Sequence, residues 1–141
     1  MGMYLDKYVG YVMDIEEEIQ EVVKDGRWDY FFETYVIDDN PIPESLKKLG
    51  LKTRYDEEGL EKGDAELLID NVSGKFSYII IIEQVERWAD DYSVESSLVL
   101  EAMVKQPVSS EISDRIKEIY KILFGKETDK SIYLTKVNHY H

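Results

Sequence analysis

The sequence predicts a single α+β domain: an antiparallel sheet of about four to six strands, with an N-terminal helix and a late helix (about 110–124) packed on it. Three observations predict this class. Two segments, Val9 to Val23 and Ile112 to Leu123, repeat apolar residues at steps of three and four. Two strand-like runs, 65–70 and 76–87, flank Asn71-Val72-Ser73-Gly74, a hairpin-turn composition. Four consecutive isoleucines, Ile79 to Ile82, put apolar groups on both faces, the mark of a central strand covered on two sides. No repeat, linker or low-complexity run divides the 141 residues, and that length suffices for one real core.

The first element reads as a helix from about Tyr4 to Asp25. Val9, Val12, Ile15, Ile19, Val22 and Val23 form its apolar stripe, and Glu16, Glu17, Glu18 and Glu21 occupy the rest of the circumference. Gly26 ends it; Gly10 weakens its early part, so the firm helix begins near Met13. Residues 28–37 are dense in aromatic and β-branched side chains and read as a strand, ended by Asp38-Asp39-Asn40-Pro41. Pro43 suits the first turn of a short helix, Glu44 to Leu49, closed by Gly50. Residues 51–64 read as a short strand and a mobile acidic loop.

After the hairpin, Trp88-Ala89-Asp90-Asp91 has turn composition. Val94 to Lys105 reads as a strand with Leu98, Leu100, Ala102 and Val104 on one face; a helix capped by Ser93 is the alternative. Ser109 or Ser110 caps the late helix and Gly125 ends it. Ile132 to Val137 reads as a last, weaker strand. Residues 138–141 are expected to fray, and Met1-Gly2-Met3 reads as a cloning scar before a native Met3.

Apolar residues make up 43%, with 11 Tyr and 2 Trp, which argues for a packed globular domain. There is no cysteine, which excludes disulfides, thiolate metal sites and a cysteine nucleophile. The N-terminus shows no basic region followed by an apolar stretch, so no secretory signal is visible, and Tyr78 to Ile82, the longest apolar run, is too short to span a bilayer. Together these suggest a cytoplasmic protein. The acid is unevenly spread. Residues 1–70 hold 19 acidic and 8 basic side chains, and residues 71–141 hold 11 and 9, within a total charge of −13. Such a field attracts basic partners and repels nucleic acid and anionic membranes.

No motif names a reaction. The two histidines, His139 and His141, lie at the end of the chain, where a frayed tail or the end of an edge strand is expected rather than a general base. No Gly-rich phosphate loop is present, so no nucleotide cofactor is expected. Asp38-Asp39, Glu57-Glu58 and Asp90-Asp91 are acid pairs with ligand chemistry for Mg²⁺ or Ca²⁺. The Asp70-to-Gly74 turn does not match a calcium loop, because Val72 and Ile81 stand where ligands belong. Solvated turns account for these acids more simply, so neither catalytic residues nor a metal site is expected.

Binding signals are stronger. Aromatic anchors interleave with acids: Trp28 and Tyr35 with Asp38 and Asp39, and Tyr55 with Asp56, Glu57, Glu58, Glu61 and Asp64. An aromatic ringed by carboxylates suits a Lys- or Arg-rich surface. The competing reading is that the aromatics fill the core and the acids keep the surface soluble. The sequence thus points to a non-catalytic acidic module that binds a basic protein or nucleic-acid enzyme. Inhibitors, immunity proteins and chaperones are of this kind, and nucleic-acid charge mimicry is one means. The alternatives are a structural or oligomeric subunit, a homodimer among them, and a carboxylate-based metal-dependent enzyme.

Overall fold

The computed structural model describes residues 5–37, 39–70, 76–87 and 108–140. Its elements run β1 (Leu5–Asp14), α1 (Glu16–Lys24), α2 (Trp28–Tyr35), α3 (Glu44–Lys47), β2 (Ala65–Ile69), β3 (Ser77–Glu86), α4 (Ser110–Phe124) and β4 (Tyr133–Tyr140). The strands form one antiparallel sheet in the order β2-β3-β1-β4. This is the expected α+β class, with the hairpin strands and the late helix where the sequence put them.

The four isoleucines behave as a doubly covered strand should. Ile79 and Ile81 face one apolar cluster, Ile80 and Ile82 the other. The first cluster lies between the sheet and the helices: Tyr11, Met13, Leu67 and Ile69 meet Ile19, Phe31, Leu46, Ile116 and Tyr120. The second gathers Tyr8, Val12, Leu68 and Val137 on the opposite face. Helix α4 is capped as its sequence demands. Ser109 Oγ accepts from Ile112 N at 3.3 Å, and Gly125 takes the left-handed conformation at φ 73°.

Two elements differ from the expectation. The predicted helix over 4–25 is a strand followed by a helix of nine residues. Residues 5–13 are all buried, because β1 is central and covered on both faces. Such a strand shows no alternation, and the chance spacing of Val9 and Val12 imitated a helix. The helical stripe is real only from Ile15 through Ile19 to Val22. Asp14 Oδ1 accepts from Glu16 N at 2.9 Å and starts α1, whose first turn carries three glutamates at the positive end of the dipole.

The predicted strand over 28–37 is instead helix α2. Trp28, Phe31, Phe32 and Tyr35 stand at i, i+3, i+4 and i+7, a helical stripe that aromatic β-propensity masked. Their rings pack on one another, with centroids 5.4 Å apart for Trp28–Phe32 and 4.9 Å for Phe31–Tyr35.

Smaller differences follow. Only Leu51 of the predicted short strand near 51 makes a bridge, to Ala65. The tail expected to fray from 138 continues β4 to Tyr140, and His139 is buried at the end of this edge strand. The turns at 71–74 and 88–91, and the segment 94–105, lie outside the described residues.

Sheet β1–β4 coils strongly over its second face. His139 pairs in register with Asp6, whereas Ile69 lies level with Ser77, whose carbonyl accepts from Ile15 N. Nine residues of flat strand would separate these ends by roughly 30 Å. Yet His139 Nε2 is 3.1 Å from the Ile69 carbonyl. The β1–β3 pairing shifts register between Val9 and Gly10, with Glu83 of β3 the extra residue. A Cβ on Gly10 would stand 2.4 Å from the Ile81 carbonyl oxygen, so only glycine permits this close approach.

Candidate functional site

The acidic residues of 55–64 form a built loop. Gly50, at φ 83°, turns the chain out of α3, and Leu51 bridges Ala65. Asp56 Oδ1 accepts from Glu58 N at 3.0 Å, and Asp64 Oδ2 accepts from Glu61 N at 2.9 Å. These short side chains close their own turns, as Asp does. Gly63 N donates to Ile82 O at 2.7 Å and Ile82 N to Asp64 O at 2.8 Å, which fastens the loop to β3.

Lys52 sits at the loop's centre. Its Nζ lies 3.3 Å from Asp64, 3.9 Å from Glu58 and 3.5 Å from the Gly59 carbonyl. Burial alone would lower its basicity. The Asp64 hydrogen bond and the charges of Asp64, Asp56 and Glu58 outweigh that and raise it above the usual lysine range.

The carboxylates of Glu57 and Glu61 lie in solvent outside this knot, and Glu58, 3.9 Å from Lys52, is exposed at its edge. Tyr55 is 56% exposed. Beside it opens a cleft of about 540 Å³, floored by Ile42 and Leu51 and walled by Tyr55, Asp56, Glu57 and Glu58. Lys47 and Lys52 also line it, the latter already engaged by Asp64 and Glu58.

The structure splits the predicted binding residues. Tyr55, Asp56, Glu57 and Glu58 meet at the cleft, while Glu61 and Asp64 close the adjoining turn. Trp28 and Tyr35 do not line it. They are half-buried and packed against the helix-side core, as the competing reading of the aromatics holds. Asp39 is exposed just beyond α2, with its N–H bonded to Glu33 O at 2.8 Å; Asp38 lies outside the described residues. Among the described residues, no three His, Asp or Glu side chains converge as around a metal ion.

A second group escaped the sequence reading. On the concave face of the sheet, Asp6, Arg54, Glu66, Asp70 and His139 are all buried. β1 contributes Asp6 and Tyr8, two residues apart and therefore on one face. β2 contributes Glu66, β4 contributes His139, and the base of the acidic loop contributes Arg54.

The Tyr8 hydroxyl donates to Glu66 Oε1 at 2.8 Å. Arg54 Nη2 lies 3.2 Å from His139 Nδ1 and 3.3 Å from its Nε2, and that Nε2 lies 3.1 Å from the Ile69 carbonyl oxygen. Arg87 Nε stands 3.8 Å from Asp6 Oδ2, an ion pair beyond hydrogen-bond reach.

Burial dominates the electrostatics here. It pushes the Glu66 carboxyl up to about 7, against the opposing Tyr8 hydrogen bond and the Arg54 and Arg87 charges; Asp6 adds to the rise. Burial, reinforced by the Glu66 and Asp6 charges, also raises the Tyr8 phenol well above its ordinary value. Arg54 Nε and Arg87 Nε are buried without a hydrogen-bond partner.

A third buried carboxylate, Glu18, is structural. Burial would raise it, but the Lys130 ammonium (2.7 Å) and the Tyr120 hydroxyl both donate to it and hold it below the usual range. This bond set ties α1 to α4 and to the approach of β4.

No family model, curated protein or solved structure matches this chain. The loop offers water-exposed negative charge around an aromatic. The concave face offers a titratable carboxylate shut away from water. The sequence did carry a signal for the second group: Glu66 interrupts Ala65-Leu67-Leu68-Ile69, and Asp6 alternates with Tyr8.

Proposed function

We propose that this protein is a non-catalytic acidic binding module whose docking surface is the loop 55–61 and the cleft beside it. The cleft carries this reading: an exposed Tyr55 over an apolar floor of Ile42 and Leu51, rimmed by Asp56, Glu57 and Glu58. An apolar floor and a tyrosine supply buried contact, and a carboxylate rim selects for a basic partner and speeds its approach. Arginine fits best, because its planar group stacks on tyrosine while its donors reach the carboxylates. The partner class is a basic protein, including an enzyme whose own site is shaped for nucleic acid. An inhibitor, an immunity protein and a chaperone all work through such a surface, and a cytoplasmic setting accords with the cysteine-free composition.

The test is charge reversal of Glu57, Glu58 and Glu61 to lysine. The expected result is an unchanged fold by circular dichroism and loss of a partner that the natural protein captures at low salt. A partner held equally by both proteins would remove this surface from the account.

A further inference from the structure

The docking cleft is not acidic throughout. Two lysines line it, and their situations differ. The charge of Lys52 is spent inside the loop, on Asp64 at 3.3 Å and Glu58 at 3.9 Å. Lys47 ends α3, is exposed, and makes no ion pair among the described residues. A lysine often serves the end of its own helix, but that end is already served here. Arg115 Nε donates to the Leu49 carbonyl at 2.6 Å. Gly50 N and Leu51 N close the turn on the carbonyls of Lys47 and Leu46, at 2.9 and 3.1 Å. A helix of four residues also has little dipole for a lysine to oppose. The Lys47 ammonium is left to whatever enters the cleft.

We infer that Lys47 sets the specificity of the cleft: its partner presents a mixed-charge segment, with an arginine and an acidic residue two apart. The inference rests on the docking surface proposed above and names the segment that surface takes. The arginine lies on Tyr55 and the carboxylates of Asp56, Glu57 and Glu58, and the acid meets Lys47. The apolar floor of Ile42 and Leu51 belongs to the same cleft. In an extended segment, side chains two residues apart point the same way, about 7 Å from each other. A volume of about 540 Å³ holds a short segment of this kind and falls within the usual range of binding pockets. A second arginine in place of the acid would meet the Lys47 ammonium. The cleft thus discriminates by what it repels as well as by what it attracts, and an unbroken basic run is the poorer ligand.

Peptide titrations followed by NMR on the full chain test this without the natural partner. The probes are the acetylated, amidated peptide Gly-Arg-Gly-Glu-Gly, the same peptide with the glutamate before the arginine, and each with glutamine for glutamate. Salt at about 0.15 M shortens screening to about 8 Å, so distant charges contribute little. The quantity read is the affinity of the glutamate peptide divided by that of its glutamine control. In one of the two orders this ratio should be about fivefold higher on the natural protein than on Lys47→Gln, the size of one exposed ion pair. Lys48→Gln removes an exposed lysine that does not line the cleft, and should keep the natural ratio. A ratio unchanged by Lys47→Gln in both orders, an equal change in Lys48→Gln, or no binding of any peptide overturns the inference.

Lys47→Glu supplies a second check. It should bind Gly-Arg-Gly-Arg-Gly more tightly than the natural protein does, by at least fivefold; an unchanged affinity overturns the role of Lys47. Reversal of Glu57, Glu58 and Glu61 to lysine separates this inference from the reading beneath it. Should that reversal abolish peptide binding while the ratio ignores Lys47, the docking surface stands and the specificity falls. Should the peptides bind the reversed protein unchanged, the docking surface falls and the inference with it.

Discussion

Glu58 and Glu66 stand eight residues apart in sequence and in different media. Glu58 projects into water with its side chain 86% exposed, 3.9 Å from Lys52. Glu66 is 2% exposed, holds a tyrosine hydrogen bond and shares its surroundings with two arginines and Asp6. The same carboxyl group is thus a cheap surface charge in one place and a titrating core group in the other. Charge in water is nearly free and is available to a partner. Charge in the core must be matched, and so it governs the fold. The difference gives each region its own observable: binding for the loop, pH-dependent stability for the concave face.

The largest effect should come from Arg54→Met. It removes the contact with the buried His139 and one of the two cations acting on Glu66. Breaking a buried charged set by deleting one member costs about 3–5 kcal/mol. Urea unfolding at pH 7.5 would measure it, and a loss under about 1 kcal/mol would show that the buried set is not the stabilising unit supposed here.

Next in size is the pH dependence of Glu66. Its carboxyl ionises near 4.5 in the unfolded chain and at about 7 in the folded protein. Between those values the unfolded chain binds fewer protons than the folded one. This group's contribution to stability therefore falls as pH rises from 4.5 to 7 and stays level above, by about 3 kcal/mol in all. Glu66→Gln removes that fall. Denaturant titrations of both proteins from pH 5 to 8 should converge at the acid end and favour the variant at the alkaline end. The opposite ordering would mean that the arginines hold Glu66 ionised.

Tyr8→Phe should be milder. It deletes the hydroxyl that donates to Glu66 at 2.8 Å and should cost about 1–2 kcal/mol at pH 8, where Glu66 is charged. The cost should shrink at pH 5, where Glu66 is protonated.

These contrasts also explain what the sequence could and could not reveal. Ile79 to Ile82 and the helix at 110–124 were legible because local pattern and tertiary role agree there. β1 was not, because a strand buried on both faces carries no alternation. Residues 28, 31, 32 and 35 did spell a helix, but their aromatic identity argued for a strand more loudly. The exposed loop was legible because Tyr55 to Glu61 are contiguous. The buried cluster was not, because Tyr8 and Glu66 are 58 residues apart, and Arg54 and His139 are 85 apart. Only the coiled sheet brings them together.

The smallest effects on stability belong to the loop. Lys52→Met should cost about 0.5–1 kcal/mol, since its partners Glu58 and Asp64 differ widely in exposure and neither is fully buried. Reversing Glu57, Glu58 and Glu61 to lysine should change stability by about 0.5 kcal/mol or less. The same reversal should have the largest effect on binding, which is the contrast between the two regions in its sharpest form.

The most direct measurement is capture from the host lysate with the natural protein and the triple charge-reversed variant side by side, at about 50 mM and about 500 mM salt, the range over which screening shortens from beyond 10 Å to a few Å. The account predicts a stoichiometric basic protein on the natural bait at low salt, weakened at high salt and absent from the folded variant. The same protein retained in equal amount by both baits would contradict it.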